Sequence, residues 1–159
     1  MNYGYITVAS AIPSVRVADA DYNIKQIESL IAQAEGKGAE IIVFPELSVT
    51  GYSCQDLFAQ QTLLDQTEMK ILQLLDFSRK LDIICIVGAP VCIGTGLYNC
   101  AVVCQHGNIL GIVPKRFLPN YAEFYEKRWF ASADDLDSPI EVRFAGNTIT
   151  VSSDIQLRT

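Results

Sequence analysis

The chain has 159 residues, half of them hydrophobic and 19% charged, with a mean hydropathy of +0.22. That balance excludes a disordered acidic segment and suffices for one domain with its own core. A formal charge of −6, from 12 basic and 18 acidic side chains, with a pI near 4.7, argues against nucleic acid as a partner, because phosphate binding needs clustered Lys and Arg.

The opening MNYGYITVAS lacks the basic-then-apolar order of a secretory leader, and no apolar run is long enough to span a bilayer. Tyr3–Ile12, rich in Tyr, Ile, Thr and Val, predicts a strand ended by Pro13. Asp19 or Asp21 then caps a helix carrying Ile24, Ile27, Leu30, Ile31 and Ala34 at helical spacing, with Gly36 and Gly38 as its stop. The continuous apolar run Glu40–Phe44 predicts a buried strand, and Pro45 opens a polar loop to about Asp56. Leu63, Leu64, Ile71, Leu74 and Leu75 mark a second amphipathic helix, with Arg79 and Lys80 at its negative end.

Asp82–Gly88 predicts another buried strand, after which the pattern changes to hairpins. Gly94-Thr95-Gly96 is a turn, since no helix follows it to present N–H groups to a phosphate. Leu97–Cys104 and Asn108–Val113 flank Gln105-His106-Gly107, and Ile140–Phe144 and Thr148–Val151 flank Ala145-Gly146-Asn147. The order β-α-β-α-β-β-β, then a long loop, then a hairpin predicts an α/β domain with a mixed sheet. The last strands have no covering helix, which predicts a domain continuing beyond Thr159.

Five cysteines, Cys54, Cys85, Cys92, Cys100 and Cys104, contain no CxxC pair and share the chain with one His. A zinc site is therefore not expected, and neither is a disulfide framework. Most of the five read as small buried hydrophobes, with Cys100 and Cys104 on one strand face. His106 reads as an exposed turn residue, and Asp134, Asp135 and Asp137 as a solvated acidic loop without calcium-binding spacing.

Two positions can carry chemistry. Glu46 directly follows a buried strand, where partial desolvation makes a carboxylate a better base; the alternative is an ordinary solvated loop Glu. Lys115 also follows a strand and a proline. It precedes a stretch, 117–130, with six aromatics in 14 residues: Phe117, Tyr121, Phe124, Tyr125, Trp129 and Phe130. Such density suits either the walls of a ligand pocket or a surface that docks on a partner.

The strings Phe44-Pro-Glu46-Leu47, Thr50-Gly-Tyr52 and Pro114-Lys115-Arg-Phe-Leu118-Pro-Asn-Tyr121 resemble the nitrilase, or carbon–nitrogen hydrolase, superfamily. The longer strings TGYSCQDLF and PKRFLPNYAEFYEKRWF resemble its glutamine-hydrolysing branch, the N-terminal domains of glutamine-dependent NAD⁺ synthetases. The resemblance implies a nitrilase-like mixed sheet forming half of an α-β-β-α sandwich, with residues 1–159 as the N-terminal part of the domain. It implies glutamine as substrate, Glu46 as general base, Lys115 as oxyanion stabiliser and Glu126 as the group that orients Lys115. Tyr52, Tyr121 and Phe124 match pocket-lining positions. The family's nucleophilic Cys lies in a Cys-Glu-Asp segment that this sequence lacks, and no cysteine follows Lys115. The chain alone is therefore expected to be inactive, with Cys54 a structural thiol. The resemblance further implies a cytoplasmic homo-oligomer, no membrane partner, and ATP and Mg²⁺ in a separate synthetase domain but no cofactor here. The alternatives are a free-standing amidase for another small amide and a non-catalytic interaction module.

Overall fold

The computed structural model describes residues 4–137 and 139–156. Strand β1 (Val8–Ser10) leads to helix α1 (Ala20–Glu35), whose first turn is capped by the Asp19 carboxylate accepting from the Tyr22 N–H at 3.0 Å. Asp21 instead sits within the first turn and pairs with Lys25 and Lys70. Gly36 still has helical dihedrals, and the chain leaves the helix at Gly38, whose φ of +79° is open to glycine at little cost.

Strand β2 (Ile41–Val43) precedes two short 3₁₀ turns over Tyr52–Ala59 and helix α2 (Gln61–Ser78). Strands β3 (Ile84–Ile93), β4 (Gly96–Gln105) and β5 (Asn108–Pro114) form a meander, and β6 (Ile140–Phe144) with β7 (Asn147–Val151) forms the last hairpin. The seven strands make one sheet in the order β1-β2-β3-β4-β5-β7-β6. β1, β2 and β3 run parallel, β3–β4–β5 antiparallel, and β7 joins β5 in parallel.

The mixed α/β sheet with helices agrees with the sequence. The first strand is shorter than predicted: three residues pair, Val8 with Ile41 through Ser10 with Val43, because β2 itself offers only three. Tyr3, where that strand was expected to start, lies outside the described residues. β3 runs on through Pro90 to Ile93 because β4 pairs with it from Cys85 to Ile93. The stretch after Pro45 is not one open loop to Asp56, since the 3₁₀ turns begin at Tyr52.

Both helices cover one face of the sheet. Ile24, Ile27 and Ile31 of α1 and Ile71, Leu74 and Leu75 of α2 share a core with Ile42, Val87, Val102 and Ile112. Cys85, Cys100 and Cys104 lie in that core as small apolar side chains, Cys54 is buried in a second cluster, and Cys92 is exposed. The other face carries Val43, Ile86, Ala101 and Val113, none of them fully buried. His106 is half-exposed at a positive φ and lies 2.9 Å from Asp82. In the acidic loop, Asp134 pairs with Arg116 and Asp135 closes a capping box with Ser132. Among the described residues, no helix is long and apolar enough to cross a membrane.

Candidate active site

Glu46 is held by a turn that only a glycine opposite would admit. A Cβ on Gly88 of β3 would stand 2.2 Å from Leu47 N, 2.7 Å from Pro45 O and 2.8 Å from Glu46 C, so the turn packs directly on the strand backbone. Val49 N–H donates to Gly88 O, and Gly88 N–H donates to Ser48 Oγ. Leu47 adopts φ +51°, unusual for a γ-branched residue. It is kept there by full burial against Cys54, Phe58, Leu63 and Phe130. Asn23 of α1 adds a tether from behind, its amide donating to Arg16 O and Val49 O.

Lys115 leaves the end of β5 with its N–H donated to Asn99 O at 2.8 Å and its carbonyl accepting from Ala133. The aromatic stretch folds back over the 3₁₀ turns. Phe130 meets Phe58 edge-on at 4.9 Å, and Asp56 accepts from both Arg128 and the Trp129 indole. This clasp carries Glu126 inward to 2% exposure.

At the centre, Lys115 Nζ lies 2.7 Å from Glu46 Oε1 and 2.9–3.0 Å from the two oxygens of Glu126. The Tyr52 hydroxyl donates to Glu126 Oε1 at 2.7 Å, and the Asn99 amide donates to Glu46 Oε1. Burial works to lower the Lys115 pKa, but the two carboxylates outweigh it and hold the side chain as an ammonium, above its ordinary value. Burial first, then the Glu126 charge, pushes the Tyr52 phenol up, so it stays a donor. Glu46 retains 37% side-chain exposure, while Glu126 is sealed. The two carboxylates thus differ in reach: one opens to the cleft and the other faces Lys115 and Tyr52.

The cleft at this centre, about 370 Å³, is walled by Val43, Ile86, Ala101 and Val113 and carries Glu46, Asn99 and Lys115. Apolar walls with a few fixed polar groups are what a small-molecule site requires. A larger cleft of about 660 Å³ lies along Arg116, Phe117, Tyr121 and Lys127, but none of the three central charged groups lines it. Of the residues expected at the site, the structure brings together Glu46, Lys115, Glu126 and Tyr52. Tyr121 and Phe124 pack on one another at 5.8 Å, and neither lines the Glu46–Lys115 cleft; Tyr121 borders the larger one.

Of the cysteines, Cys100 borders the Glu46–Lys115 cleft, but at 2% exposure and with its thiol directed to Tyr98 O. Cys54 is buried with its thiol directed to Thr50 O and Gly51 O, and burial raises its pKa. Burial alone raises that of Cys100. Cys92 is exposed, but partial desolvation of its thiol raises its pKa, with Glu68 and Asp65 adding to it. Sequence reasoning missed Asn99 and Gly88. A lone amide within the apolar run Leu97–Cys104 was the available signal for Asn99; nothing local marks Gly88.

The sequence matches the carbon–nitrogen hydrolase family over residues 7–153. It is 35% identical over 153 residues to a glutamine-dependent NAD(+) synthetase of Mycobacterium tuberculosis, covering 96% of this chain and 22% of that protein. A glutamine-dependent NAD(+) synthetase of Arabidopsis thaliana is 36% identical over 130 residues, 78% of this chain and 18% of that one. The chain thus spans about a fifth of the curated relatives it matches. The crystal structure of a glutamine-dependent NAD(+) synthetase from Cytophaga hutchinsonii superposes with a TM-score of 0.85 at 26% identity, over 97% of this chain and 26% of that one. An amidase from Nesterenkonia sp. AN1, at 21% identity and a TM-score of 0.69 over 93% of this chain and 55% of that one, shares the fold.

Proposed function

The chain belongs to the carbon–nitrogen hydrolase family, and from that premise we propose that it supplies the acid–base and electrostatic half of a glutamine-hydrolysing site whose ammonia serves ATP-dependent NAD⁺ synthesis. The observation that carries this reading is the Lys115 ammonium held between Glu46 and Glu126 at the mouth of an apolar cleft.

An amide carbonyl resists direct attack by water, and a thiolate divides the hydrolysis into two easier steps through a thioester. Glu46, within reach of the cleft, takes the thiol proton and passes it to the departing ammonia. It then draws a proton from the water that cleaves the thioester. Lys115 places its positive charge where the carbonyl oxygen becomes an oxyanion, an interaction strengthened by the dry walls of the cleft. Glu126 does not reach the substrate; it fixes the ammonium from behind, and Tyr52 fixes Glu126. Tyr121 and Phe124, which lie away from this cleft, are given no contact with the amide in this reading.

The thiol is the part these residues lack. Among the described residues, no cysteine is hydrogen-bonded to Glu46 or Lys115, and the thiol of Cys54 is directed to backbone carbonyls. We therefore assign the nucleophile to a Cys-Glu-Asp segment outside the 159 residues, in a cytoplasmic homo-oligomeric protein. ATP and Mg²⁺ belong in this reading to a separate synthetase domain. Among the described residues no three His, Cys, Asp or Glu side chains cluster to hold a metal, and the site carboxylates are engaged by Lys115.

Ammonia release from glutamine tests this. The 159-residue chain should release none. A polypeptide extended through a Cys-Glu-Asp segment and the rest of a nitrilase-type domain should hydrolyse glutamine and lose the activity with Glu46→Gln. Ammonia release by the 159-residue chain that persists in Glu46→Gln would overturn both the site and the missing nucleophile. Hydrolysis of other small amides but not glutamine by the extended polypeptide would instead make it an amidase.

A further inference from the structure

We infer that Asn99 is a positioning residue which, together with Lys115, engages Oε1 of Glu46 and leaves Oε2 as the oxygen that accepts the proton. This rests on the reading of Glu46 as the base. Asn99 lies on β4 at 3% exposure, in a strand whose other residues from Gly96 to Cys104 are apolar or small. A buried amide in such a strand is unfavourable unless its polar atoms are used. Here its Nδ2 donates to Glu46 Oε1, and its main-chain carbonyl accepts the Lys115 N–H. One residue thereby holds the side chain of one charged group and the backbone of the other.

The asymmetry follows from where the donors converge. Lys115 Nζ reaches the same Oε1 at 2.7 Å. Among the described residues, Oε2 has no hydrogen-bond partner, and Glu46 is partly open to the cleft. The two oxygens of a free carboxylate are equivalent. Two donors on one of them draw electron density there and leave the lone pairs of the other available to a proton. They also stop the group from turning, so the available oxygen keeps one direction relative to Lys115. Lys115 alone is one donor, about which the carboxylate can still turn; the Asn99 amide, set on a sheet strand, supplies the second.

The test uses infrared spectroscopy of the 159-residue chain. The Glu46 carboxylate band is identified by difference against Glu46→Gln and compared in Asn99→Leu and Asn99→Ala. Asn99→Ala removes the donor without adding volume or charge, which guards against a packing failure in Asn99→Leu. With Asn99 present, the antisymmetric and symmetric carboxylate stretches should be widely split, as for a group bonded through one oxygen. Both variants should narrow that splitting, because one of the two donors on Oε1 is gone. A splitting unchanged in both folded variants would show that Asn99 only satisfies its own buried amide. Because no hydrolysis is measured, failure here leaves the glutaminase reading standing. Failure of the ammonia test would leave the Asn99–Glu46 relationship standing.

Discussion

The Tyr52 hydroxyl donates a 2.7 Å hydrogen bond to Glu126 Oε1 across 74 positions of sequence, and Glu126 in turn meets Lys115. A buried carboxylate needs more than its counter-ion, since each lone pair taken from water must find a donor. Tyr52→Phe removes one donor and little volume. It is expected to destabilise the fold by about 1.5–3 kcal/mol in urea denaturation, with the Lys115 amine resonance moved. No change in either would mean that water replaces the phenol.

Removing the ammonium should be worse than removing the pair. Lys115→Met leaves the Glu126 charge sealed at 2% exposure with only Tyr52 beside it. A cost of about 3–5 kcal/mol is expected. The double variant Lys115→Met/Glu126→Leu should recover most of that cost. Equal stability of the single and double variants would show that Glu126 simply takes up a proton.

Gly88→Ala tests how the Glu46 turn is seated. The new methyl would meet main-chain atoms of residues 45–47, which cannot swing aside as a side chain can. Destabilisation of about 1–3 kcal/mol or more is expected, with loss of the Glu46–Lys115 contact seen as a change at the Lys115 amine. A variant of native stability with that contact intact would contradict the packing.

Asp56 links the 3₁₀ turns to Arg128 and Trp129, and those two donors lower its pKa from 3.8 to about 2. A depressed folded-state pKa adds stability above the unfolded value, and this contribution fades as pH falls through the folded one. The stability difference between the native chain and Asp56→Asn should therefore be constant at neutral pH and shrink between about pH 4 and pH 2. A difference independent of pH across that window would remove the charge from the clasp.

The thiols should divide four to one. Cys92 is exposed and Cys54, Cys85, Cys100 and Cys104 are buried. A thiol reagent on the folded chain should modify one cysteine, and Cys92→Ser should abolish that reaction. The other four should react only on unfolding. A glutamine-like electrophile should leave Cys54 unmodified; stoichiometric labelling there, prevented by glutamine, would make Cys54 the nucleophile.

What the sequence determined by itself is local. The repeat of Ile24, Ile27 and Ile31 set α1 and its buried face, and Asp19 set its start. The glycines at 107 and 146 set both hairpin turns, each at positive φ. Glu46 and Lys115 were legible as site residues because each follows an apolar strand run. These features depend on dihedral preference and on the periods of helix and strand, which a few neighbouring residues specify. The tertiary structure decided the rest. It placed β7 rather than β6 beside β5, stopped β1 after three paired residues, buried Glu126 and gave Asn99 to Glu46. It also set Tyr121 and Phe124 against each other and away from the cleft at Glu46. The partners of a buried polar group are chosen by sheet register and by the return path of a loop. For Asn99 and Glu46 the partners stand 53 positions apart, and for Tyr52 and Glu126 they stand 74 apart. No local preference carries over such separations; only the closed fold brings those atoms within hydrogen-bonding distance and excludes the water that would otherwise serve them.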